Sequence, residues 1–182
     1  MNKKGMYLLI ILLFSSNIGI NAQKFLVKEG TASFKAKMPL NSYIGKTDDL
    51  QGVIDFKDGT LTFSVPVKSI KTDNEKRDGH MYELVKAEKN PNVVFKGKFI
   101  DDFNFEEKAI QTLNATGDFT LAGVTREITI PIDLKLATEN IIQLKASWSL
   151  LITDYNLERP NLAFLKINDK HDLSVDAILK KE

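Results

Sequence analysis

A chain of 182 residues with 43% hydrophobic and 27% charged residues has the size and composition of one globular domain rather than of a disordered segment. A formal net charge of +1 gives no electrostatic basis for nucleic-acid binding. The absence of cysteine excludes disulfides, thiolate metal sites, a cysteine nucleophile and a lipid-bearing cysteine at a processed N-terminus.

The first segment reads as a signal peptide over residues 1–22, followed by one domain over 23–182. Lys3 and Lys4 form a positive start, Met6 to Phe14 is an unbroken apolar run, and small Ala22 closes the segment. Nine apolar residues fall well short of the ~20 that a membrane span needs, so no integral span is expected. Cleavage would remove two of the 25 basic residues and none of the 24 acidic ones, leaving a net charge of −1. The expected localisation is exported, periplasmic or extracellular.

From there the dominant pattern is alternation with period two, the signature of strands with one buried face. It begins with Phe34, Ala36 and Met38 and continues with Ile54 and Phe56. Asp58-Gly59 follows as a hairpin turn. Leu61, Phe63, Val65 and Val67 form the next apolar face. Residues 68–91 break the pattern; within them Arg77 to Ala87 predicts a short helix with Met81, Leu84 and Val85 as its apolar stripe. Alternation resumes at Val93, Phe95, Gly97 and Phe99, and again at Ala115, Gly117, Phe119 and Leu121. The clearest run is Ile128 to Leu136, with Ile or Leu at every even position. Leu144, Ala146, Trp148 and Leu150 follow, then a polar loop from Asp154 to Pro160, then Leu173, Val175, Ala177 and Leu179.

These are about eight strands, and short turns such as Ala122-Gly123 and Thr138-Glu139-Asn140 imply antiparallel neighbours. Closing such a sheet removes its edges and buries its apolar face. The predicted fold is therefore all-β, an eight-stranded antiparallel barrel with one short helix in a long loop. A barrel of this size is either filled by its own side chains or holds one small ligand, and periodicity leaves both open.

Three stretches carry a resemblance. Ser69-Ile70-Lys71-Thr72 precedes Arg77-Asp78-Gly79-His80-Met81; Asn90-Pro91-Asn92-Val93-Val94-Phe95 follows; then comes Gly117-Asp118-Phe119-Thr120-Leu121-Ala122-Gly123-Val124-Thr125. In order and spacing they resemble the YceI-like family, over roughly residues 30–180. The resemblance implies a lipocalin-like barrel around a hydrophobic tunnel, export, and binding of polyisoprenoid chains, isoprenoid quinones or other lipids. Asn90 stands where the family has an aromatic residue, and Met81 where it has Leu; these departures leave the ligand open.

The tunnel-lining candidates are Phe34, Ile54, Phe56, Phe63, Val65, Val93 and Phe95 from the first half of the chain. Phe99, Phe119, Leu121, Ile130, Ile132, Trp148 and Leu150 complete them. Arg77, Asp78 and His80 are head-group candidates, with capping and packing of the 68–91 segment as their alternative role. The two histidines, His80 and His171, lack metal-ligand spacing, and no nucleophile-elbow or phosphate-loop motif occurs. No cofactor, metal or catalytic residue is expected. The expected function is non-enzymatic carriage of an apolar chain molecule; the alternative is a structural or protein-interaction barrel with a filled core. A homodimer is left open.

Overall fold

A computed structural model describes residues 23–39, 41–162 and 165–182. The leader read over 1–22 lies outside them. The strands are β1 (Lys24–Lys37), β2 (Ser42–Thr47), β3 (Gln51–Asp55), β4 (Thr60–Pro66), β5 (Asn92–Phe99), β6 (Gln111–Leu121), β7 (Val124–Thr138) and β8 (Ile141–Leu151). A small hairpin, β9 (Asn161–Leu162) and β10 (Leu165–Lys166), precedes the last strand, β11 (Lys170–Lys181). The one described helix, α1 (Glu75–Leu84), lies between β4 and β5.

Sheet order is β11-β8-β7-β6-β5-β4-β3-β1-β2, and β1 also pairs with β11 from Phe25↔Lys181 to Ala36↔His171. That pairing closes the sheet. β2 and β3 are two halves of one broken stave, because β3 pairs with the start of β1 and β2 with its end. The barrel therefore has eight staves, all antiparallel, as the alternation predicts. Two-residue turns set the register of the β6–β7 hairpin: Ala122 and Gly123 both have positive φ, 52° and 79°, which matches the right-handed strand twist.

Alternation translates into burial as expected. In β7, Ile130, Ile132, Leu134 and Leu136 are buried while Pro131, Asp133 and Lys135 face solvent. The sequence reading missed two pieces: β1 begins ten residues before Phe34, with Phe25 buried, and β2 follows it. A register shift between Val27 and Glu29 interrupts the period-two pattern of β1 and hides its first half.

Two seams in the cylinder are filled by non-strand segments. Between β2 and β4 the chain forms a 3₁₀ turn, Val67–Ser69, and then α1. Asn74 caps α1 by accepting from the Arg77 amide at 2.9 Å, so the helix starts two residues earlier than predicted. Between β7 and β8 pairing begins only at Ile132↔Ala146. There a second 3₁₀ turn, Ile152–Tyr155, meets the wall, and Tyr155 packs edge-on to Phe119 at 5.8 Å. The segment read as a polar loop, Asp154 to Pro160, thus supplies buried Tyr155 and Leu157, next to buried Ile152.

Candidate functional site

The barrel interior is divided in two. At the end where Gln23 and Glu182 lie it is solid. Phe56 meets Phe103 at 5.0 Å, Phe25 at 5.6 Å and Phe105 at 5.3 Å, and Phe103 meets Phe105 at 4.9 Å. Buried Ile54, Leu61, Leu134, Ile142, Leu144 and Leu179 continue this packing. At the other end lies an open cavity of about 960 Å³.

Of the residues predicted to line a tunnel, Phe34, Phe63, Val65, Val93, Phe95, Phe119, Leu121, Trp148 and Leu150 line this cavity. Ile54, Phe56, Phe99, Ile130 and Ile132 do not; they belong to the packed half. All of them face inward as alternation requires, but alternation reports the face of a residue and not its height in the barrel. The tunnel is blind.

The bore is kept wide by glycine. Phe34 lies against Gly45 and Phe63 against Gly52, each its cross-strand partner. A Cβ at Gly45 would come within 2.6 Å of Phe34 Cζ, and one at Gly52 within 2.6 Å of Phe63 Cε1. Each ring lies flat on the wall because its partner has no side chain to lift it. Gly97 and Gly117, also on the inner face, do something else. They pair with each other, and a Cβ at Gly117 would meet Lys96 backbone at 2.8 Å. They let two strands approach rather than adding space.

The head-group candidates separate. Arg77 and His80 line the cavity, and His80 is exposed at its mouth. Asp78 is absent from the lining. It is buried beneath the helix, where its carboxylate accepts from the Thr72 amide at 2.8 Å and the Thr72 hydroxyl at 2.6 Å. Arg77 is also largely committed: its Nε donates to Thr72 Oγ1 at 2.9 Å and its Nη2 to the Thr72 carbonyl, while the guanidinium lies over the Tyr43 ring at 4.4 Å. Tyr82 Oη donates to the carbonyls of Lys68 and Ile70. These bonds clamp α1 across the mouth with Met81, Leu84 and Val85 facing the cavity. Exposed Glu158, Arg159 and Asn161 form the opposite rim.

Sequence reasoning missed His171 and Tyr43. His171 shares the inward parity of Leu173 and Val175, is buried, and lines the cavity. Burial pushes its imidazole below the ordinary pKa, against smaller raising effects of Asp169 and Asp172. Tyr43, held above its usual pKa by burial, meets Phe34 edge-on at 6.1 Å. Among the described residues no cluster of His, Asp and Glu could hold a metal ion, and no helix is long and apolar enough to cross a membrane.

Comparison with known proteins fits this architecture. A polyisoprenoid-binding domain from Saccharophagus degradans implicated in plant cell wall breakdown superposes with a TM-score of 0.76 at 15% identity, covering 88% of this chain and 99% of that one. BcnA from Burkholderia cenocepacia gives 0.66 at 12% identity, covering 82% and 95%. The YceI protein of Campylobacter jejuni gives 0.60 at 19% identity, covering 76% and 84%. At these identities the likeness is one of fold. No curated protein matches the sequence. The model of the YceI-like domain matches residues 20–179, nearly the whole chain, and the protein belongs to the YceI-like family.

Proposed function

We propose that this protein is an exported, non-enzymatic carrier that holds the apolar chain of a polyisoprenoid or related lipid in its blind cavity. The observation that carries this reading is the cavity itself: about 960 Å³ of space, walled by Phe, Val, Leu and Trp side chains, inside an otherwise densely packed barrel. At ~30 Å³ per small group, the space accommodates on the order of thirty non-hydrogen atoms. Twenty chain carbons at about 0.8 kcal/mol each give a gross ~16 kcal/mol, enough to offset an association cost of ~4–15 kcal/mol. The polyisoprenoid-binding description of the Saccharophagus degradans domain supports the ligand class. The apolar leader at Met6–Phe14 supports export.

Organic extraction of purified protein followed by mass spectrometry tests the reading. A co-purifying isoprenoid or other long-chain lipid, or stoichiometric uptake of a polyprenyl probe by stripped protein, is expected. Finding neither would favour the alternative of a barrel that serves as a structural or protein-interaction module.

A further inference from the structure

The cavity wall holds buried Thr47, bonded to the Ser69 hydroxyl and the Asp49 amide, the indole Nε1 of Trp148, a donor with no partner among the described residues, and His171, whose hydrogen-bonding role is fixed by its surroundings. His171 Nδ1 lies 3.1 Å from the main-chain carbonyl oxygen of Asp169. A carbonyl oxygen only accepts, so Nδ1 carries the proton, and in a neutral imidazole Nε2 is then left as an acceptor. Nε2 has no partner among the described residues. The ring packs against Phe34 at 5.9 Å, and Phe34 in turn packs against Tyr43, whose hydroxyl also lacks a partner among the described residues. His171 and Tyr43 thus flank the Phe34 ring on this stretch of wall.

From this geometry, and resting on the carrier reading above, we propose that His171 is the polar anchor of the cavity. The ligand it selects is an apolar chain ending in an uncharged hydrogen-bond donor, an alcohol or phenolic hydroxyl that donates to Nε2. Burial keeps the imidazole neutral. A neutral acceptor in a dry wall rewards a donor hydroxyl, gives nothing to a capped oxygen, and cannot balance an anion. Of the cavity's two arginines, Arg77 is already bonded to Thr72 and stacked on Tyr43, and Arg159 donates to the Ile167 carbonyl.

The test compares uptake of geranylgeraniol, geranylgeranyl methyl ether and geranylgeranyl phosphate by stripped wild-type protein and by His171→Leu. The chains are identical, so chain burial cancels. Wild type is expected to bind the alcohol about tenfold more tightly than the ether, the ratio that one neutral hydrogen bond provides. His171→Leu is expected to bind the two equally. Equal binding of alcohol and ether by wild type overturns the anchor while leaving the carrier reading intact, and so does a preference that survives in His171→Leu. Tighter binding of the phosphate than of the alcohol overturns the uncharged-donor assignment in favour of the cations at the rim. Uptake of none of the three overturns both readings. The wild-type ratios decide the matter even if the variant does not fold.

Discussion

Replacing Gly52 by Ala is expected to narrow the cavity while leaving the barrel folded. The new methyl would overlap Phe63 Cδ1 outright and sit 2.6 Å from Cε1, whereas carbon atoms in contact lie at about 3.5–4.0 Å, so the ring must retreat by well over about 1 Å. Behind it is open space, because Phe63 lines the cavity. Overpacking a filled core costs about 1–3 kcal/mol; here the ring has somewhere to go, and the cost belongs at about 1 kcal/mol. The ring then occupies roughly 60 Å³ of lumen, about two groups of ~30 Å³. Two lost methylene contacts at about 0.8 kcal/mol each weaken a chain ligand by about fifteenfold. Gly117→Ala is the contrast. Its methyl meets the Lys96 backbone, with no side chain able to yield, and strand separation should cost ~3 kcal/mol or more. Urea denaturation gives both stabilities, and titration with a polyprenyl probe gives the affinity. If Gly52→Ala destabilises as much as Gly117→Ala and leaves affinity unchanged, the space behind Phe63 is not open and the reasoning fails.

Asp78→Ala removes the one carboxylate oxygen that accepts from both the amide and the hydroxyl of Thr72 and leaves the two donors buried; a loss of about 2–3 kcal/mol is expected, with faster amide exchange across residues 70–84 than in the strands. Stability should fall in two stages on acidification. His171 has a folded pKa below its ordinary 6.5, so below pH 6.5 the unfolded chain takes up a proton that the folded one resists, and stability drops until the folded pKa is passed. Asp169, depressed chiefly by the Thr153 hydroxyl, and Asp172, depressed chiefly by Lys37, give up their contributions as pH falls through the carboxylate range. Chemical denaturation across pH 3–8 should show the upper stage in wild type and lose it in His171→Leu; an unchanged upper stage would assign it elsewhere. Trp148 is the single tryptophan and lines the cavity. Its emission should change saturably at one probe per chain, and a flat titration alongside demonstrated uptake would place the chain elsewhere.

The eight staves were legible because each buries one face. Ile130, Ile132, Leu134 and Leu136 alternate with Pro131, Asp133 and Lys135, and no tertiary fact is needed to see which set points inward. Helix α1 was legible from Met81, Leu84 and Val85, with its start placed two residues late and its end three residues late. Where sequence spacing and spatial height part, the sequence is silent. Phe63 and Phe99 look alike in their strands, yet one lines the cavity and the other closes the far end. Phe103 and Phe105 complete the plug from a loop that carries no periodicity. Asp78 and His80 are two residues apart, and the turn of the helix sends the first beneath it to Thr72 and the second to the rim. The bore depends on Gly45 meeting Phe34 across strands, and the anchor on Asp169 turning its carbonyl towards His171. Period-two burial is a property of one strand and can be read from one strand; a cavity is a property of what several strands leave unfilled, and only their register reveals it.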